Sequence, residues 1–253
     1  MTIHRFFITP DQIQNEIIIL SGDQARQISG VLRLREGDQI YVLDNSGWRY
    51  EVKLLTADSV QVVGSIVTKQ IESGEPTVNL TLYQSLLKQD KFEWILQKGT
   101  ELGITSFVPI ITQRSIVRQT SIRENKLARW RRIVTEASEQ SGRGQIPVLS
   151  QPIPFKTALS RTSENDLALI PWENEKGKNI TASLAKSTTD PRVHSLSSLA
   201  LFIGPEGGFT EEEIIDASSA GIIPVTLGPR ILRAETAAIV ATALILQELG
   251  ELN

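Results

Sequence analysis

The rhythm of apolar and polar positions changes once along the chain. From residue 3 to about 70, short apolar runs alternate with turn residues. Ile3–Ile8, Glu16–Leu20, Gln39–Asp44, Trp48–Thr56 and Ser59–Thr68 are predicted strands, separated in part by Asn45-Ser46-Gly47 and Ala57-Asp58 turns, with a short helix over Gly22–Ser29. Several short strands around turns predict a small β-barrel. Glu72-Ser73-Gly74-Glu75-Pro76 reads as a linker. Beyond it, strands alternate with helices, the signature of a parallel sheet. Val78–Leu87, Thr105–Ile111, Gln145–Ser150, Asp166–Pro171 and Leu199–Ile203 are predicted strands. Asp90–Leu102 is predicted as a helix with Phe92, Ile95, Leu96 and Gly99 on one face and Gly103 past its end. Arg123–Ser141 is amphipathic, with Leu127, Trp130, Val134 and Ala137 inward. A helix is expected over Lys178–Lys186 and a polar loop over Thr188–Ser198. The fold class is therefore α/β, in two domains: residues 1–72 and residues 73–253.

Two stretches near the C-terminus stand out. Leu201-Phe202-Ile203-Gly204-Pro205-Glu206-Gly207-Gly208-Phe209 reads as a buried strand breaking into a glycine loop. Thr210 with Glu213 forms a capping box, so a helix starts there, with Glu211 and Glu212 in its first turn. Those acids would repel a phosphate, and the loop has neither the Lys-Ser/Thr of a P-loop nor a Gly-x-Gly-x-x-Gly pattern. It suits a neutral or cationic ligand, or else it is a plain strand-to-helix turn. Leu227-Gly228-Pro229-Arg230-Ile231-Leu232-Arg233-Ala234-Glu235-Thr236 reads as a second such break, leading into an almost wholly apolar helix. Its arginines either face a substrate or are solvated charges at a helix entrance. Placed at the tips of neighbouring parallel strands, the two loops would share one ligand site.

Composition narrows the options. Hydrophobic residues make up 40% and charged residues 22% of the 253, as in a soluble globular protein. There is no cysteine, hence no disulfide and no thiolate chemistry. The two histidines, His4 and His194, are too few for a His-rich metal site. The longest apolar run, Ala237–Leu246, has ten residues, too few to span a membrane, and no signal-peptide core opens the chain. A cytoplasmic enzyme without metal or membrane is expected. The net charge is −3, yet residues 114–143 hold eight basic residues against three acidic ones, Glu124, Glu136 and Glu139. That stretch either meets phosphates or is a helix face laced with pairs such as Arg132–Glu136.

Further motifs line up with the two loops. His4-Arg5-Phe6-Phe7 opens the chain, and Val31-Leu32-Arg33-Leu34-Arg35-Glu36-Gly37-Asp38 follows. Then come Lys88, Gln97-Lys98-Gly99-Thr100-Glu101-Leu102-Gly103, Pro109 with Thr112-x-Arg114-Ser115, and Glu136-Ala137-x-x-Gln140-x-x-Arg143 with Pro147. Together with Gly-Pro-Glu-Gly-Gly and Leu-Gly-x-Arg-Ile-Leu-Arg-x-Glu-Thr-Ala, they resemble the RsmE family of bacterial 16S rRNA uracil-N3 methyltransferases, of the SPOUT superfamily. The resemblance runs from His4 to Ala238, with a weakly patterned gap over Phe155–Ser198. One departure is Gln27, where the family usually carries histidine.

The resemblance implies a PUA-like RNA-binding β-barrel (residues 1–72) preceding a SPOUT methyltransferase domain (residues 73–253). Its parallel sheet would carry a deep trefoil knot in the last third of the chain. It implies S-adenosylmethionine as methyl donor, a uridine of 16S rRNA or of the small ribosomal subunit as acceptor, and a homodimer. Ile203, Gly204, Pro205, Gly207, Gly208, Leu227, Gly228, Ile231, Leu232 and Thr236 are the expected donor-binding residues. Arg230 or Arg233 is expected to stabilise charge on the uracil, and Glu206 to orient the site or take the proton. Arg5, Arg33, Lys98, Arg114 and Arg143 are expected RNA contacts; for Lys98, Arg114 and Arg143 a structural ion pair is the equal alternative. A non-catalytic rRNA-binding protein of the same fold would share these motifs but not bind the donor. A nicotinamide or nucleotide enzyme is disfavoured by the missing glycine fingerprint.

Overall fold

The computed structural model describes residues 3–88, 90–117, 121–189 and 196–252. Arg118, His194 and the middle of the polar stretch 188–198 lie outside them. The chain forms two compact units: residues 1–75 with 135–146, and residues 76–134 with 147–253.

In the first unit, β1 (Arg5–Phe7), β2 (Ile13–Gln14), β3 (Ile17–Ser21), β4 (Gln39–Leu43), β5 (Trp48–Ala57) and β6 (Gln61–Ile71) form one sheet in the order β1-β4-β5-β6-β3-β2. Only β1 and β4 run parallel. The sheet curls as a half-barrel with β1 and β2 at its two edges. A short helix, α1 (Asp23–Arg26), runs on into a π-turn over Gln27–Val31. Strand alternation fills the concave side. Ile40 and Val42 of β4 are fully buried with Phe6, Ile18, Leu20, Ile28, Val52 and Val62, while Tyr41 faces the other way. There the guanidinium of Arg49 lies 4.2 Å and that of Arg5 5.7 Å from the Tyr41 ring centre.

Residues 135–146 join this unit through polar contacts. The Glu139 carboxylate accepts a hydrogen bond from the Phe7 backbone N–H at 3.0 Å. Burial, helped by the charge of Glu136, pushes its pKa up to about 7 against the pull of that hydrogen bond. The folded state therefore holds this proton more tightly than the unfolded chain. The associated stability is present below the ordinary carboxylate range and is lost as pH rises through 7. Glu139→Gln keeps an acceptor for Phe7 and removes the ionisation. It should leave thermal stability at pH 4 nearly unchanged and raise it at pH 8, on the order of 2 kcal/mol. A variant as pH-sensitive as the parent between pH 4 and 8 would contradict the assignment.

The second unit contains β7 (Asn79–Ser85), α2 (Lys91–Leu102), β8 (Ser106–Ile111), α3 (Glu124–Ser141, whose last turns belong to the first unit), β9 (Val148–Leu149), β10 (Ile153–Pro154), α4 (Phe155–Ser160), β11 (Leu167–Pro171), α5 (Ile180–Thr189), β12 (Ser198–Ile203), α6 (Glu211–Ser219), β13 (Ile223–Val225) and α7 (Ala234–Glu248). The sheet is parallel throughout, in the order β10-β8-β7-β12-β11-β13, with β9 also on β8. Strands covered on both faces read as unbroken apolar runs, as Leu199–Ile203 of β12 does. On one face, Tyr83 stacks on Phe202 with ring centres 4.4 Å apart, and Phe155, Phe209 and Ile214 complete that core. Helix α7 packs against α2, α5 and β12. Gly99 lets α2 approach β8 closely: a Cβ there would lie 2.6 Å from Ile104 Cδ1 and 2.9 Å from the Phe107 ring.

One expectation needs correcting. The strands that feed the two motif loops are not neighbours. One edge of β12 is taken by β7 and the other by β11, and the three-residue β13 pairs with the far edge of β11. The tip of β11 therefore stands between the two loops.

Candidate active site

The first loop leaves β12 after Ile203 and is anchored at its far end by Phe209. That ring is 3% exposed and sits 5.5 Å from the Phe155 ring. The expected capping box is present. Thr210 Oγ1 accepts from the Glu213 N–H at 3.2 Å, and Glu213 Oε2 accepts from the Thr210 N–H at 2.9 Å. The second oxygen of the buried Glu213 accepts from the Gln113 N–H at 2.7 Å. Next to it, Arg114 Nη1 donates to the carbonyls of Gly207 at 2.8 Å and Phe209 at 3.3 Å. The segment that follows β8 thus clamps the loop, and Arg114, for which RNA contact and a structural ion pair were equal expectations, is exposed and braces the loop through these two carbonyls. Gly208 has φ +68°, and a Cβ on it would lie 3.0 and 3.1 Å from the two carboxylate oxygens of Glu173. Any side chain here meets both backbone strain and a carboxylate.

The second loop leaves β13 after Val225, so its strand ends earlier than the sequence pattern placed it. Thr226 fixes the turn: its N–H donates to the Lys178 carbonyl at 2.7 Å and its Oγ1 accepts from the Gly228 N–H at 3.2 Å. Arg233 is the N-cap residue of α7, and its carbonyl receives the Ala237 N–H at 2.8 Å. A third segment, Pro171-Trp172-Glu173, extends from the tip of β11 and is tied to the second loop's strand by the Trp172 N–H to Val225 carbonyl bond of 3.0 Å.

All three enclose one cavity of about 220 Å³. From the first loop it takes Ile203, Gly204, Pro205, Glu206, Gly207, Gly208 and Phe209, and from the second Thr226, Leu227, Gly228, Arg230, Ile231 and Leu232. Pro171, Trp172 and Glu173 line it from the β11 tip, and Ala234 and Ala237 from α7. The charged groups on its wall are two carboxylates and one guanidinium. Glu206 accepts the Lys88 N–H at 3.2 Å. Arg230 is exposed and has no hydrogen bond or ion pair among the described residues. Among those residues no group of three or more His, Asp or Glu side chains could hold a metal ion, and no helix is long and apolar enough to cross a membrane.

An RNA methyltransferase domain model matches residues 74–246. The ribosomal RNA small subunit methyltransferase E of Synechocystis is 36% identical over 243 residues, covering 95% of this chain and 76% of that protein. The Bacillus subtilis protein of the same name is 34% identical over 248 residues, covering 96% of each. The chain belongs to the ribosomal RNA small subunit methyltransferase E family. A crystal structure of the family member from Neisseria gonorrhoeae, bound to S-adenosyl methionine, matches with a TM-score of 0.84 at 34% identity, covering 97% of this chain and 98% of that one.

Of the residues expected at the family's site, Ile203, Gly204, Pro205, Glu206, Gly207, Gly208, Leu227, Gly228, Arg230, Ile231 and Leu232 come together on the cavity wall. Arg233 and Thr236 do not; both are exposed, one at the cap and one in the first turn of α7. Pro171, Trp172 and Glu173 were missed. The signal was there, because Pro171 is the last residue of a buried parallel strand, and every such strand end is a candidate. Among the expected RNA contacts, Arg33 is exposed with φ +56°, and Arg5 is half-buried beside Tyr41. Lys98 pairs with Glu101 at 2.8 Å. Arg143 is 3% exposed: its Nε and Nη2 bond Glu75 at 3.3 and 2.8 Å, and Glu75 also takes the Gln145 N–H at 3.0 Å. A buried guanidinium offers no surface to a phosphate, so the ion-pair reading holds for Arg143. The basic stretch is largely internally engaged. Arg129 pairs with Glu93, Arg131 pairs with Glu124, and Lys126 lies over the Trp130 ring.

Proposed function

We propose that the cavity binds S-adenosylmethionine and that the protein methylates N3 of one uridine in 16S ribosomal RNA. The observation that carries this reading is the meeting of both motif loops in one cavity with Glu206 and Arg230 on its wall. The residues fit the donor. Backbone groups of Gly204, Gly207 and Gly228 and apolar side chains of Ile203, Leu227 and Leu232 suit an adenosine, and carboxylates suit a cation. Glu211 and Glu212 in the first turn of α6 disfavour a dinucleotide's phosphates. Bound there, S-adenosylmethionine supplies an electrophilic methyl group on a sulfonium sulfur.

The chain's own part is to make uracil N3 nucleophilic. N3–H is a weak acid, and its proton must leave as the new bond forms. Arg230, with five donors and no partner among the described residues, stabilises the charge that spreads onto the uracil oxygens. Glu206, held by the Lys88 N–H, orients the acceptor or takes the proton. Arg233, off the cavity wall, has the lesser role. Arg33 and Arg5 are proposed to meet RNA backbone from the first unit, and Lys98 from the second. The protein is proposed to work in the cytoplasm as a homodimer. Helix α7 is apolar on nearly every side, yet Leu244 on it is 42% exposed and Ile231 just before it 87% exposed. An all-round apolar helix belongs in an interior, which a second copy would complete.

The test is to incubate the protein with small subunits from a strain lacking its gene and methyl-labelled donor, followed by mass spectrometry of the nucleosides. Label in 3-methyluridine is expected. Label in another nucleoside would overturn the atom assignment. Binding to the subunits with no label anywhere would favour the non-catalytic rRNA-binding alternative.

A further inference from the structure

Glu173 lines the cavity, yet neither sequence motif includes it. It follows Trp172, whose N–H ties the β11 tip to β13, so its backbone is held by the sheet. Both of its carboxylate oxygens face Gly208 on the opposing loop, 3.0 and 3.1 Å from where a Cβ would stand. The Gly208 N–H is already used, donating to the Pro205 carbonyl at 2.9 Å. No hydrogen bond or ion pair engages Glu173 among the described residues. The neighbouring carboxylates differ. Glu206 receives the Lys88 N–H, and Glu175 receives the N–H groups of Gly177 and Lys178 at 2.7 and 3.1 Å. Glu173 is thus an exposed carboxylate on the cavity wall to which no other described residue donates.

We infer that Glu173 is the counter-ion for the α-ammonium group of the donor's methionine moiety. The inference rests on the donor-site reading above. Two cations of the donor compete for the assignment, and charge flow decides between them. The sulfonium loses its positive charge when the methyl group departs. A carboxylate beside it would stabilise the ground state more than the transition state and slow the transfer. The ammonium keeps its charge throughout and offers N–H donors, which a carboxylate accepts in charge-assisted bonds. Binding there is uniform across the reaction: it lowers the donor's KM and leaves kcat alone.

The test is calorimetric titration of the intact parent and Glu173→Gln with three ligands. S-adenosylmethionine has the sulfonium and the ammonium, S-adenosylhomocysteine only the ammonium, and 5′-methylthioadenosine neither. The substitution is isosteric at an exposed site, and an unchanged melting curve confirms folding. Glu173→Gln should weaken the first two ligands alike, roughly 10- to 30-fold, the range of one charged hydrogen bond. It should leave the third unchanged, with kcat at saturating donor retained. A loss confined to S-adenosylmethionine would place the carboxylate at the sulfonium and overturn the inference. An equal loss for all three ligands, or for none, would overturn it as well. Failure of the parent protein to bind any of the three would instead defeat the donor-site reading itself.

Discussion

Arg230→Ala is expected to lower kcat by about 10²- to 10³-fold, the usual cost of removing one donor that stabilises developing negative charge. The same substitution should leave the affinity for S-adenosylmethionine within about threefold, because the guanidinium acts on the acceptor base and not on the donor. Fold stability should not change. Arg230 is exposed and unpaired among the described residues, so truncation orphans no buried group. Arg230→Lys should recover part of the rate, since it keeps the charge but loses the planar fork. Arg233→Ala should cost less than about tenfold, because Arg233 caps α7 off the cavity wall. Single-turnover rates at saturating donor, with calorimetric donor affinities alongside, check all three. A larger loss at Arg233 than at Arg230 would exchange their roles.

Arg143→Ala is expected to destabilise the first unit by about 3 kcal/mol. Its guanidinium is 3% exposed and doubly bonded to Glu75, which also receives the Gln145 N–H. Deleting the cation leaves a partly buried carboxylate without its counter-charge and opens a void where the stem packed. Replacing both partners together, Arg143→Met with Glu75→Leu, should recover most of the loss, because an apolar pair carries no desolvation penalty. Denaturant midpoints followed by circular dichroism give the measurement. Were Arg143 a phosphate contact, the single variant would keep its midpoint and lose RNA affinity with a shallower salt dependence.

The two arginines differ in how far their surroundings reach along the chain. Arg230 belongs to a short local pattern, a Gly-Pro turn before an apolar helix, and the structure has that turn and that helix, although the strand before them ends already at Val225. Thr210 with Glu213 is similar: the capping box is a four-residue device and forms as the spacing predicts. The strands of the first unit other than the two-residue β2, and most of the parallel strands, follow the same logic, because burial of one or both faces writes itself into periods of two or into unbroken apolar runs.

Arg143 shows what stays hidden. A cationic residue near the end of an amphipathic helix reads the same whether it meets solvent, phosphate or a carboxylate 68 positions away. The Phe7–Glu139 bond, across 132 positions, has no local trace either, so nothing in the pattern draws residues 135–146 into the first unit. Strand order is another such property. That β11 lies between β12 and β13 depends on which edges remain free after β7 and β12 pair, and this is why Pro171, Trp172 and Glu173 were not expected at the site. The knot implied by the family resemblance leaves no mark on the periodicity at all.

The measurement that bears most directly on the cavity is a crystal structure of the protein soaked with S-adenosylmethionine. The donor should occupy the space between the tips of β11, β12 and β13, with its methyl carbon directed toward the Arg230 side of the wall and its ammonium toward Glu173. A donor bound elsewhere, or one whose methyl carbon is turned away from Arg230 and Glu206, would contradict the account.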